Sequence, residues 1–392
     1  MASNMLVMQS GGSTQVLNRT LKGLVVAAEE YGFYGKIYGS VHGLDGILSG
    51  KLVELSNMSE TRWNRIARTP GALLKSSRRK LHDGDVDQLF KILEKYGIRN
   101  LFIVGGNDSA ETGHRINEEA RNSGYLLSVI HVPKTIDNDL VLTDHSPGYG
   151  SAARFVALAV MGVGRDAETM GKESPITILE VMGRDSGWLA ASSALAKNDP
   201  KDAPHLICVP EMPIDEQTFL GEIESSYVKY GFVVAVVAEN TRGTSGVLGS
   251  SERPWYVDDF GHAYYEGAGG HLASLVGKFL KIRVRYERPG TIQRSMISCV
   301  STTDAVEAEM VGRAAIDYCV EGVTDKTVTL IRDSGEQYAC STGLASLRNV
   351  AGKVRKMPEY YLEKSTYSVT DSFVRYSLPL IGSALPKLER II

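Results

Sequence analysis

The sequence predicts an α/β protein of two domains, each built on a parallel-dominated sheet flanked by helices. Three observations carry that expectation. Short aliphatic runs alternate with amphipathic stretches of helical period along most of the chain, the pattern of βαβ units. Several of those runs end in Gly- or Pro-opened turns bearing charged or hydroxyl side chains, at the strand ends where open α/β sheets place ligands. The 392 residues leave enough interior for a core in each of two domains.

Composition narrows the function classes. Hydrophobic and charged shares of 43% and 23% are those of an ordinary globular protein. The net charge of −3 argues against nucleic-acid binding, which needs a basic excess, but leaves room for a local basic pocket. The four cysteines, Cys208, Cys299, Cys319 and Cys340, form no C-x-x-C pair, so neither a disulfide framework nor a metal cluster is expected. Cys208 and Cys299 sit in apolar runs and read as small buried hydrophobes. With no signal-like N-terminus and no membrane-length apolar run, the expectation is a cytoplasmic enzyme.

Met5 to Gln9 reads as the first strand, followed by Ser10-Gly11-Gly12-Ser13-Thr14 and a helix to about Tyr31. A strand, a glycine turn and a helix start can cradle phosphate on backbone N–H groups, and the missing Cβ lets the anion approach. An ordinary tight turn is the plainer reading. A second strand spans 36–41. The stretch 69–80, TPGALLKSSRRK, ends with Lys75, Arg78, Arg79 and Lys80, a cluster that more often marks a solvated surface than a site.

An amphipathic helix over 85–96 leads to a strand over 100–104. That strand delivers Gly105-Gly106-Asn107-Asp108-Ser109, and a helix follows over 109–122 with Ser109 as a ready cap. The run 126–132, LLSVIHV, is a buried strand ending at Pro133-Lys134-Thr135-Ile136-Asp137-Asn138-Asp139. Two carboxylates and a lysine this close suit phosphoryl chemistry; a capping Asp and a solvated Lys fit the same letters.

Helices over 152–166 and 186–197 bracket a strand over 175–181 that ends at Met182-Gly183-Arg184. Strands over 205–209 and 232–238 flank a helix over 215–230, and the second of them ends at Glu239. Residues 243–270, rich in Gly, Ser and aromatics, break the rhythm as a long loop or lid. A helix over 271–281 and a strand over 282–286 precede Arg288-Pro289-Gly290-Thr291-Ile292-Gln293-Arg294-Ser295. A further helix covers 304–321, and the tail from about Lys353 shows no regular pattern.

In their order and intervals, the GGNDS, PKTIDND and MGR stretches resemble the phosphofructokinase family, specifically its pyrophosphate-dependent branch. The resemblance runs from about residue 5 to 320. It implies a phosphofructokinase-like fold in which residues 1–147 and about 290–345 bind the donor and 148–289 the sugar phosphate, with 346–392 unassigned. It makes Asp137 the base for the acceptor hydroxyl, Asp139 its orienting partner or a holder of metal-bound water, and Arg184 a stabiliser of transition-state charge. Thr135, Ile136, Met182, Gly183, Glu239, Arg285, Thr291 and Arg294 are its sugar-phosphate positions. Arg285 is expected to act across a subunit interface, hence a homodimer or larger homo-oligomer. Gly11, Gly12 and Arg78 take pyrophosphate, with Arg79 as the fallback.

The family's ATP-using branch has glycine where Asp108 and Lys134 stand. A carboxylate at 108 repels and fills the space of a nucleotide's α-phosphate, and an ammonium at 134 attracts compact pyrophosphate. Mg²⁺ is expected to neutralise the transferring group, with Asn107 in place of the family's metal-associated Asp. Asn supplies a neutral oxygen and holds a hard cation more weakly. Thr291 departs likewise from the His or Tyr of many relatives. The expected activity is reversible transfer of phosphate from pyrophosphate to the 1-hydroxyl of fructose 6-phosphate, with no nucleic-acid or membrane partner. The alternatives are the same chemistry on sedoheptulose 7-phosphate or another sugar or nucleoside, and a catalytically silent regulatory subunit.

Overall fold

A computed structural model describes residues 3–390 apart from 245, 249–252, 265–266 and 336. Its larger sheet has seven strands in the order Cys340–Ser346, Lys326–Arg332, Ser128–Pro133, Ile98–Gly105, Asn4–Gln9, Ile37–Ser40 and Leu52–Glu54. The five inner strands are parallel, and each edge strand is antiparallel to its neighbour. Alternate residues serve opposite faces. Met5, Val7, Phe102 and Val104 pack with the helices Leu17–Tyr31 and Thr302–Val320, while Leu6, Met8, Leu101 and Ile103 pack with Val86–Lys95 and Asn107–Asn122. Burial on both faces is why these strands read as unbroken apolar runs.

The smaller sheet is wholly parallel, in the order Val284–Glu287, Ile176–Val181, Val233–Ala238 and Leu206–Cys208. Ile176, Ile178, Val233 and Val237 face the helices Glu216–Tyr230 and Ala268–Leu280. Leu179, Val181, Val234 and Val236 face the long helix Tyr149–Met170 and, beyond it, Met357, Phe373 and Leu380 of the tail. The architecture is the expected pair of parallel-dominated sheets flanked by helices.

Topology fixes where ligands belong. Asn4–Gln9 has the next strand on one side and Ile98–Gly105 on the other, a switch point of the kind that opens a crevice at the strand C-termini. Gln9 pairs with Val104, and Gly105 with Pro133, so the three following turns emerge side by side.

Some local expectations change. The helix after Gly106 begins at Asn107, so Ser109 lies buried inside its first turn and is not its cap. The helix expected from 271 begins at Ala268. The 243–270 stretch holds short pairings of Arg242–Gly243 with Gly246–Val247 and of Tyr256–Val257 with Ala263–Tyr264. Residues 245, 249–252 and 265–266 of that stretch lie outside the described residues. The tail is ordered into the helix Asp371–Ser377 and a small hairpin of Leu362–Glu363 with Ser368–Val369.

Candidate active site

One cleft lies between the C-terminal ends of the two sheets. From the larger sheet it receives Gly11, Gly12, Arg78, Asn107 and Asp108, together with Lys134, Thr135, Ile136, Asp137 and Asp139; from the opposite side come Met182, Arg184, Glu239 and Arg294. Gly183 lies between two lining residues, with φ at 128°. Thr291 is exposed in the short 3₁₀ turn Gly290–Arg294 and does not line the cleft. Arg285 is also outside it, bonded to Ser174 Oγ at 3.1 Å and paired with Asp166. Arg79 is held elsewhere by Asp85 at 2.7 Å and Asp45 at 3.3 Å, so of these two arginines it is Arg78 that lines the cleft.

The aspartate turn owes its shape to the residue between the two acids. Asn138 has φ 54°, in the left-handed region that Asn tolerates better than most residues. It is fully buried, its Oδ1 accepting from Ser146 N–H at 3.1 Å and its Nδ2 donating to Tyr376 at 2.9 Å. With Asn138 turned inward, Asp137 and Asp139 both line the cleft. The Thr135 hydroxyl accepts from Asp137 N–H at 3.1 Å. Four further hydrogen bonds come from Arg355, whose guanidinium donates to the carbonyls of Asn138 (3.1 and 2.8 Å), Thr143 (2.8 Å) and Asp144 while lying 4.4 Å over the Trp188 ring.

The glycine turn admits two cations. A Cβ on Gly12 would collide with the Arg294 guanidinium, and one on Gly11 would stand 3.2 Å from Lys134 Nζ; Gly11 also has φ 77°. Burial, together with Arg294 and Arg78, pushes the Lys134 ammonium down to about 8. Burial and Arg78 lower Arg294 as well. Lys134, Arg294 and Arg78 repel one another, a strain that a bound polyanion would relieve.

The acids show the opposite strain. Burial and the neighbouring Asp139 raise the Asp137 carboxyl above the usual carboxylate range, against the pull of Arg184. Burial likewise raises Asp139, offset by its hydrogen bond with Thr135 and by Arg184 and Lys134. Glu239 is raised by burial and moderated by Arg288 and Arg184. Among the described residues, Arg184 Nη1 is buried without a hydrogen-bond partner. Such a set can hold an anionic donor, bind a hydroxylated acceptor and accept its proton.

A divalent cation fits the acid side. Asp137 and Asp139 strain each other, a repulsion that a cation would relieve. The Asn107 Oδ1 already accepts from Asp108 N–H at 3.0 Å, so part of its donor capacity is spent.

Some residues at the site escape a reading of the sequence. Asp258, Phe260, His262 and Tyr264 fold over the Arg78 side of the cleft from within the long irregular stretch, whose break in rhythm is its only signal. Gln293 is buried, accepts from Met182 N–H at 3.2 Å and is held by Gln15, which donates to its carbonyl at 2.7 Å. Arg355 carries no sequence signal.

A sequence model of the family described as Phosphofructokinase matches residues 4–319. The pyrophosphate–fructose 6-phosphate 1-phosphotransferase of Rhodospirillum rubrum is 37% identical over 392 residues, covering 98% of this chain and 96% of that protein. The enzyme of the same name from Xanthomonas campestris is 35% identical, covering 98% and 92%. The crystal structure of a pyrophosphate-dependent phosphofructokinase from Nitrosospira multiformis superposes with a TM-score of 0.90 at 30% identity, covering 100% of this chain and 95% of that one. The match spans both sheets, the cleft between them and the tail beyond residue 319, and it makes this chain a member of the phosphofructokinase family.

Proposed function

We propose that the protein catalyses reversible phosphoryl transfer from pyrophosphate to the 1-hydroxyl of fructose 6-phosphate. One observation carries the reading: cations and acids converge in a single cleft, with Lys134, Arg78 and Arg294 beside Asp137 and Asp139. Relatives that this chain matches along nearly its whole length are named for that activity.

In this reading Lys134, Arg78 and the Gly11–Gly12 turn hold the donor. Asp137 takes the proton of the acceptor hydroxyl as its oxygen bonds to phosphorus, the bridging P–O bond breaks, and phosphate leaves. Arg184, with its unpartnered Nη1, is placed to take up charge on the transferring group. Thr135, Ile136, Met182, Gly183, Glu239 and Arg294 orient the sugar, and Arg294 gives its phosphate a fork of donors. Mg²⁺ would be held by the donor phosphates, with Asp139 taking its bound water and a weaker contribution from Asn107, and it would neutralise charge on the transferring group.

Asp108 excludes nucleotides and Lys134 favours pyrophosphate. We take residues 1–147 and about 290–345 as the donor-binding domain and 148–289 as the sugar domain. Arg285, outside the cleft of its own chain, is taken to serve the neighbouring subunit of a homodimer or larger assembly.

Steady-state turnover with fructose 6-phosphate and Mg²⁺, offering pyrophosphate and ATP separately, tests the proposal. Turnover with pyrophosphate alone is expected. Turnover with ATP alone would refute the donor assignment. Faster turnover of sedoheptulose 7-phosphate at equal concentration would move the acceptor assignment.

A further inference from the structure

Asp108 poses a physical problem. A carboxylate at the donor side of the cleft repels pyrophosphate as well as a nucleotide, unless something offsets its charge. The structure supplies that group from the hairpin 256–264. His262 Nε2 lies 3.0 Å from Asp108 Oδ2, and its Nδ1 lies 3.0 Å from Asp258 Oδ2. Carboxylates only accept, so the ring makes both hydrogen bonds when it is an imidazolium.

The far end of this relay is firmly built. Asp258 is 7% exposed. It accepts from the backbone N–H groups of Phe260 at 3.1 Å and His262 at 3.0 Å, from the Tyr264 hydroxyl at 3.2 Å, and from Arg78. Burial pushes the Asp258 carboxyl upward, but the His262 backbone, Arg78 and the His262 ring outweigh it and hold it at about 2. With that many donors, Asp258 can surrender Arg78 to an incoming phosphate and stay satisfied.

We infer that His262 is a positioning and donor-specificity residue: anchored by Asp258, it fixes Asp108 and offsets its charge, so that compact pyrophosphate is admitted while the carboxylate still bars a nucleotide. The inference rests on the reading of Asp108 as the donor filter. Because His262 acts through Asp108, its removal matters only while Asp108 is present.

The experiment uses the full chain and reads pyrophosphate binding by calorimetry alongside steady-state kinetics, for wild type, His262→Ala, His262→Gln, Asp108→Gly and the Asp108→Gly/His262→Ala double variant. The His262→Ala change is expected to weaken pyrophosphate binding and raise its KM by about tenfold, with the KM for the sugar phosphate moved far less. His262→Gln, which keeps one donor but no charge, is expected to fall between, and it serves in place of the alanine variant should that one fail to fold. In the Asp108→Gly background the same alanine change is expected to cost less than about threefold, since the coupled partner is gone. Equal losses with and without Asp108, or losses shared equally by donor and sugar, would overturn the inference and leave His262 a structural residue. A wild type that binds pyrophosphate but fails to phosphorylate the sugar would sink the proposed reaction, while His262 would still be judged on binding. A wild type that does not bind pyrophosphate overturns both.

Discussion

Asp137 is a residue whose surroundings work against its charge, and that gives its replacement two opposite effects. Burial and Asp139 raise its carboxyl in the folded protein, so the charged form destabilises the fold once the pH exceeds the ordinary carboxylate value. Asp137→Asn removes that burden. Its melting temperature at pH 8 is therefore expected to equal or exceed that of wild type, while kcat falls by about 10²–10⁴-fold for want of a base. Retention of more than about a tenth of the wild-type rate would remove Asp137 from that role. The same shift sets the pH profile. A protonated Asp137 cannot accept the hydroxyl proton, so kcat/KM should fall on the acid side, with a midpoint above the usual carboxylate range. A rate flat down to pH 5 would contradict this. The two acids were legible in the sequence because they end an aliphatic run. The part played by Asn138 was not, since its backbone angle and its bond to Tyr376 depend on a tail more than 200 residues away.

At the scale of elements, the strands were the readable part. Buried on both faces, residues 101–104 (LFIV) of Ile98–Gly105 and the whole of Val233–Ala238 are unbroken apolar runs whose shortness marks them as strands. The last two strands of the larger sheet were not readable. Lys326–Arg332 interleaves Thr327 and Thr329 with aliphatics, and its partner Cys340–Ser346 is half exposed, so neither carries the period of a core strand. The tail was opaque for a related reason: its contribution is one guanidinium rather than a pattern. Arg355 ties three carbonyls of the turn that carries both acids, and its own N–H donates to Asp139 O at 2.7 Å. Arg355→Ala takes the side-chain donors from the Asn138 and Thr143 carbonyls, while Tyr376 still donates to that of Asp144 at 2.8 Å, and a stability loss of about 2 kcal/mol is expected from charged hydrogen bonds of this kind. Because Asp137 and Asp139 then drift, kcat should fall by about tenfold or more, and by more than KM rises. Arg355→Lys keeps the charge but not the planar fork and should recover only part of both. Equal kcat in all three proteins would reduce the tail to a packing element. Thermal melts and substrate titrations on the same samples decide it.

For the whole molecule, the position of Arg285 turns an arrangement of subunits into a test by mixing. In its own chain Arg285 is engaged by Asp166 and Ser174, away from the cleft that holds Asp137. The residue nevertheless occupies the place where the family resemblance puts an arginine for the sugar phosphate, so the proposed assembly has each chain lend it to its neighbour. Consider Arg285→Ala and Asp137→Asn proteins, each expected to be nearly inactive alone. In a dimer containing one chain of each kind, the site built around the intact Asp137 receives the intact Arg285 from the other chain. The second site lacks both groups. Random assortment makes half of the dimers mixed, so a co-expressed population should recover about a quarter of wild-type kcat. If Arg285 served its own chain, every site in the mixture would lack one group or the other, and no activity would return. The same samples examined by size exclusion report whether the chains associate at all, which separates a failure to mix from an arginine that works at home. Recovery near a quarter would also show that the cleft between the two sheets is incomplete in one chain, so that dilution below the dimer's dissociation constant should lower turnover per chain.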